Sequence, residues 1–238
     1  MVDTITIYWA CIENEWMRAT APESVASLFY KERKYDKSHP DINMHHCPAF
    51  NMHMENMFAL RSIYSYKFGI RDGVVRSDDY DQTFFERHVN TKSIEQKLFS
   101  FQQSFIFFTE EDSLPVTMSL SPYFEDNNIT DRCIVIPGEL DIGKWFRNTD
   151  LAFYLKRDYN EFCIEEGEIY CYMKFHTDKK INFIQYRQTE KLNLMLVDIL
   201  RSKNNKKKVF SMEKFYSMFR TKKIILEEIK KNIIGEQC

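Results

Sequence analysis

Glycine is scarce in this chain, with six among 238 residues, and proline is no commoner. That excludes collagen-like, linker-like and low-complexity architectures, which are rich in one or the other. The few glycines do not complete a phosphate-binding loop, and there is neither a nucleophile elbow nor a His-Glu-x-x-His pair. Readings as an NTPase, an α/β-hydrolase or a zincin lose their usual support. Also missing is any run of eighteen or more apolar residues, the length that marks a membrane-spanning helix. The opening Met1-Val2-Asp3-Thr4 does not read as a secretory leader. The expectation is a soluble chain with no membrane partner.

The six cysteines stand at positions 11, 47, 133, 163, 171 and 238, and no two are separated by the short gap of a zinc knuckle. Cys133, Cys163 and Cys171 fall in apolar runs. They read as reduced thiols, mostly small core hydrophobes.

What the chain has in quantity is aromatic side chains: 20 Phe and 13 Tyr, in a composition 44% hydrophobic and 29% charged. Such a chain can bury a thick core and is not disordered. Its net charge of −2 is unevenly spread, since the residues from Arg201 onward sum to +7 and the first 200 to −9. An acidic body with a basic tail is the clearest asymmetry.

The most informative stretch runs from Asp141 to Arg187. Leu151, Phe153 and Leu155 take alternate places, then Phe162 and Ile164, then Ile169, Cys171, Met173 and Phe175, then Ile181 and Phe183. A period of two puts one face on a core and the other in water, and the links between runs are short. We expect a β-meander here. Ile5, Ile7 and Trp9 predict a first strand, and the capping pattern Thr20-Ala21-Pro22-Glu23 predicts a helix that ends by Lys34. Cys47 to Phe50 leads into a strand over Asn56 to Ser62. Tyr64 to Ile70, the Asp72-Gly73 turn signal and Val74-Val75 predict a hairpin. Further strands are expected at Phe105 to Phe108, Leu114 to Ser121 and Cys133 to Ile136, the first and last of them buried. After Thr189 the period changes to that of a helix, with Leu192, Leu196, Ile199 and Leu200 on one side. Ser202 to Lys208 reads as a basic break, followed by helices over Ser211 to Phe219 and Lys222 to Ile234.

Several short motifs occur in order: Tyr8-Trp9-Ala10, Trp16, Pro22 to Val25, Cys47-Pro48-Ala49-Phe50, Asp141 to Arg147, Glu166-Gly167-Glu168 and Phe175-His176-Thr177-Asp178. Together they resemble a family encoded by large tailed phages of marine bacteria, cyanophages in particular, over roughly residues 5 to 190. The family carries no assigned activity, so the resemblance implies a viral origin and residence in host cytoplasm or virion. His45, His46 and His53 are not part of its shared pattern.

Five constellations could carry chemistry. His39, His45, His46, Cys47 and His53 are zinc or iron donors in type, but their spacing matches no standard site, and the plainer reading is a loop packed over the core. His176-x-Asp178 begins like the facial triad of a non-haem iron enzyme, yet no histidine follows it. Glu165, Glu166 and Glu168 surround Gly167 and read more simply as a solvated turn. Lys144 and Arg147 flank Trp145-Phe146, a mixture able to hold a phosphate or stack a base, or else to plug one end of a β-structure. With Tyr170 and Tyr172, expected on the wetter face of their strand, Lys144, Trp145 and Arg147 form the candidate ligand site. Lys206, Lys207 and Lys208 are candidate nucleic-acid contacts.

The fold expected is α+β: a mainly antiparallel β-sandwich or jelly-roll-like body over 1–188 with a helical C-terminal appendage over 189–238. The function expected is a non-enzymatic accessory or virion-associated module that works through protein contacts or self-association and carries no cofactor. The alternative is a cupin-like metal-dependent enzyme holding Fe or Zn through His45, His46, His53 and His176.

Overall fold

A computed structural model describes residues 3–11, 19–28, 47–77, 79–119, 128–206 and 222–234. Among these the chain is mainly β, in three sheets with a few helices and no closed barrel. The largest sheet takes β1 (Thr4–Cys11), β6 (Val89–Ser93), β7 (Leu98–Thr109), β9 (Cys133–Ile136), β11 (Asn148–Leu155) and β14 (Lys180–Gln185). Its path is β14-β1-β7-β11-β9, with β6 also paired to β7, and it is mixed because β1 and β14 run parallel. The second sheet has the order β10-β8-β13-β3-β2, from Gly138–Asp141, Pro115–Ser119, Ile169–Phe175, Met57–Arg61 and Glu23–Ser24. The third is β12-β4-β5, from Glu161–Ile164, Tyr66–Arg71 and Val74–Ser77. The helices are α1 (Pro48–Met54), α2 (Gln82–His88), α3 (Asn128–Arg132), α4 (Glu190–Lys206) and α5 (Lys222–Lys230).

All three sheets contribute to one core. Phe99 and Phe153 of the first sheet meet Phe68 and Phe162 of the third, with Phe153 and Phe162 stacked at 5.0 Å and Phe68 and Phe99 edge-on at 5.6 Å. Phe107 of the first sheet meets Phe175 of the second edge-on at 6.2 Å. Rings of this size supply most of the burial, about 1.5–3 kcal/mol each.

The outer faces of two sheets are also covered. Ile5, Ile7, Trp9 and Cys11 turn to the shared core, while Tyr8 and Ala10 turn the other way onto Leu192, Leu196, Ile225 and Ile229 of α4 and α5. Helices thus cover the back of the largest sheet at β14, β1 and the end of β7, and β1 is buried on both sides. A smaller cluster of Val25, Met54, Met57, Ala59 and Tyr172 covers the back of the second sheet.

Several sequence expectations need correction. The runs between Asp141 and Arg187 are strands, but they do not form a meander. β11, β12, β13 and β14 alternate among the first, third, second and first sheets, and β14 pairs with the first strand of the chain. Thr20 does not open a helix; Glu23–Ser24 pairs with β3, and Ser24 Oγ accepts from the Ser27 N–H at the start of a helical turn over 25–28. α1 was not expected at all. It starts with Pro48 in its first turn, where the missing N–H costs nothing. The break expected from Ser202 falls inside α4, which runs on to Lys206. The end of the first expected helix and the whole of the one over Ser211 to Phe219 lie outside the described residues. Other readings stand: Asp72 and Gly73 have φ of 53° and 70°, the paired left-handed turn between β4 and β5. Thr189 Oγ1 accepts from Leu192 N–H and caps α4.

Candidate functional site

The Asp141 to Arg147 turn follows β10 and leads into β11, so it crosses from the second sheet to the first. Its first residue organises it. Asp141 Oδ1 accepts from the N–H groups of Leu114 (2.9 Å) and Gly143 (3.0 Å). Oδ2 accepts from Ser113 Oγ at 2.6 Å and pairs with Lys144 Nζ at 2.9 Å. Partial burial disfavours its charge, but Ser113, Lys144 and the Leu114 N–H outweigh that and hold the carboxyl below the usual aspartate range. The Asp141 carbonyl takes the Trp145 N–H at 2.8 Å and closes the turn.

Gly143 lies against the 110–114 loop so tightly that a Cβ would stand 2.5 Å from the Glu111 carbonyl oxygen. On either side, Ile142 enters the shared core and Phe146 enters the cluster under α4 and α5, edge-on to Phe108 at 5.3 Å. Arg147 is 9% exposed, pairs with Asp150 at 2.5 Å and lies 4.4 Å over the Trp145 ring. Its Nε donates to the Asn148 carbonyl. Lys144, Trp145 and Arg147 are therefore brought together, with Lys144 Nζ bonded to Asp141 and Ser113 and the Arg147 guanidinium to Asp150 and the Asn148 carbonyl. Gly138, Gly143 and Lys144 also have the spacing of a phosphate loop, yet Trp145 replaces the hydroxyl residue and a strand follows where a helix is needed.

Tyr170 and Tyr172 do not join them. Each is 2% exposed, Tyr170 in the shared core and edge-on to Phe101 at 5.7 Å, Tyr172 in the cluster behind the second sheet. A bulge in the pairing of β13 with β3, between Ile169 and Cys171, breaks the alternation and sends Tyr170 inward with Cys171. Burial pushes the Tyr170 hydroxyl well above its ordinary range.

The metal candidates are scattered. His176 is exposed, with Nε2 at 2.6 Å from Thr117 Oγ1. His53 is on α1, and its carbonyl, with those of Met52 and Glu55, is bonded by Lys174 Nζ, which ties the helix end to β13. His45 and His46 lie outside the described residues, as do Lys207 and Lys208, while Lys206 ends α4. Among the described residues no group of three or more His, Cys, Asp or Glu side chains is placed to hold a metal ion. None of the five described cysteines is in a disulfide, three of them are buried, and burial pushes the Cys133 thiol up to about 12. The Glu165 to Glu168 turn is exposed or half-exposed and closes on itself, Glu168 Oε2 accepting the Glu165 N–H at 2.8 Å.

A charged seam that no local sequence pattern marks runs along Glu110 and Glu111. Glu110 accepts from the Tyr8 hydroxyl at 2.8 Å and pairs with Lys230 of α5 at 2.9 Å. Glu111 pairs with Lys179 at 2.9 Å, and its carbonyl takes Lys222 Nζ. The signal was the run Glu110-Glu111-Asp112 facing lysines more than sixty residues away, which no local pattern connects. The seam fastens α5 to the end of the largest sheet. No helix is long and apolar enough to cross a membrane among the described residues. No protein-family model matches the chain, and no curated protein matches it significantly.

Proposed function

We propose that this chain is a phage-encoded accessory protein, in the host cytoplasm or the virion, whose sandwich-like body binds a protein partner and performs no catalysis. The observation that supports this most is the use made of the Asp141 to Arg147 turn. Its carboxylate takes four donors, its arginine is closed onto Asp150 and Trp145, and the two tyrosines expected beside it are buried. A ligand site needs polar groups left over to aim at a ligand, and here the Asp141 carboxylate and the Lys144 and Arg147 cations are taken up within the turn and by the 110–114 loop. The side chains that do reach solvent include large apolar ones on regular elements: Met52 at 71%, Leu194 at 59% and Ile134 at 58%. Apolar side chains of this size are what the centre of a protein contact is built from. Elemental mass spectrometry of untagged protein tests this against the metal-enzyme reading. The expected result is no stoichiometric metal, also after incubation with zinc or iron. Near-stoichiometric metal that is lost in His53→Ala and His176→Ala would overturn it.

A further inference from the structure

Strands at sheet margins are open to pairing with another chain, and a charged side chain on the strand is the usual guard. Here β14 carries Lys180, β6 Lys92, β10 Glu139 and Asp141, β2 Glu23, β12 Glu161 and β5 Arg76. β9 carries none; it reads Cys133-Ile134-Val135-Ile136. Among the described residues it pairs on one side only, with β11.

The register says which backbone groups its open side offers. Lys156 N–H donates to the Arg132 carbonyl at 2.8 Å, next to the pair Leu155 and Cys133. Bonded and non-bonded pairs alternate in an antiparallel ladder. Ile134 and Ile136 therefore bond inward to Tyr154 and Ala152, and the N–H and C=O of Val135 point to the open side. Side chains divide likewise: Cys133 and Val135 pack on the shared core, while Ile134, 58% exposed, and Ile136 lie on the opposite face beside Tyr154.

We propose that β9 is a self-association edge, at which two copies of this chain pair antiparallel about a two-fold axis with Val135 facing its counterpart. A two-fold makes one residue its own partner, and Val135 presents both a donor and an acceptor outward, so each N–H meets the other copy's C=O. In that register Ile134 stands opposite Ile136 of the second copy, twice over, and covers the exposed isoleucine. The strand is uncharged and so is complementary to itself, with no like charges brought face to face. Pro137 follows directly and has no N–H, which ends the ladder and keeps the contact short and closed. The two largest sheets become one continuous sheet. This deepens the binding-module reading and rests on it for its biological sense alone.

Sedimentation velocity of the full chain over a range of concentrations tests it, beside Ile134→Lys, which puts the missing charge on an already exposed position. Expected are a concentration-dependent dimer and a roughly tenfold or greater loss of self-affinity in the variant, with unchanged circular dichroism. Should the variant fold poorly, amide exchange of the unmodified protein decides: the Val135 N–H slows as concentration rises if β9 pairs with itself. A monomer at every concentration, a dimer indifferent to Ile134→Lys, or Val135 exchange independent of concentration overturns the proposal. None of these outcomes overturns the binding-module reading, which the metal measurement addresses separately.

Discussion

Of the five described glycines, Gly143 is the one that a side chain would crowd most. Its backbone φ lies outside the left-handed region, so the constraint is one of space and not of torsion. A methyl group there must displace the backbone of the 110–114 loop, since Glu111 O at 2.5 Å and Ser113 N at 2.9 Å cannot rotate away. Overpacking of this kind costs about 1–3 kcal/mol. Gly143→Ala should lower the urea midpoint by a corresponding amount with the slope of the transition unchanged. Tyr186 is the counterpart, a hydroxyl with no hydrogen-bond partner among the described residues in the apolar cluster under α4 and α5. Burial alone pushes its pKa up.

At the scale of elements, α5 is held by more than its charged seam. Ile225 and Ile229 are 2% and 0% exposed against the back of the largest sheet, and the chain after the helix returns to it through Ile234 N–H on the Gln185 carbonyl. The flanking ion pairs are half-exposed and count for little by comparison. Removing apolar contacts should therefore hurt more than removing charges. Ile229→Ala is expected to cost about 2–4 kcal/mol, and Lys230→Ala less than about 1 kcal/mol, both read from equilibrium urea unfolding. Equal losses would show that the seam is the main fastening. Similar helical periodicity let α4 and α5 be placed from sequence, because Leu192, Leu196, Ile225 and Ile229 keep their spacing whatever they pack on. The end of α4 could not be placed, since polar residues such as Ser202 and Asn204 are equally at home in a solvated last turn and in a break.

Across the whole molecule, two carboxylates tie distant parts of the chain together. Asp141 links β10 to the 110–114 loop, and Glu110 links that loop to Tyr8 and α5. Both are held below their ordinary range, Asp141 by donors that outweigh its burial, Glu110 by Lys230 first and then by the Tyr8 hydroxyl. A depressed folded pKa means that the unfolded chain takes up the proton first. Their contribution is then complete above the unfolded values, about 3.9 and 4.3, and is lost as pH falls through the lower folded ones. Stability against urea should drop on acidification below about pH 4, and Asp141→Asn should flatten part of that drop while lowering stability at neutral pH. An acid limb unchanged in Asp141→Asn would show that its charge is not what the turn depends on.

The alternating runs were legible because strand and helix periods are local properties of a sequence. Phe153 and Leu155, or Ile169 and Phe175, take the same side of a strand in any sheet. The type of the Asp72-Gly73 turn and the Thr189 cap are local in the same sense. Pairing is not local, so Asp141 to Arg187 looked like a meander although its strands go to three sheets, and β14 returns to β1 across the length of the body. The bulge that buries Tyr170 depends on how β3 lies beside β13. That Ser113 and Leu114 take up the Asp141 carboxylate depends on the 110–114 loop that meets the turn. Apolar content alone could not tell the inner strand β7 from the marginal β9: whether Ile134 is covered depends on sheet order, a tertiary fact.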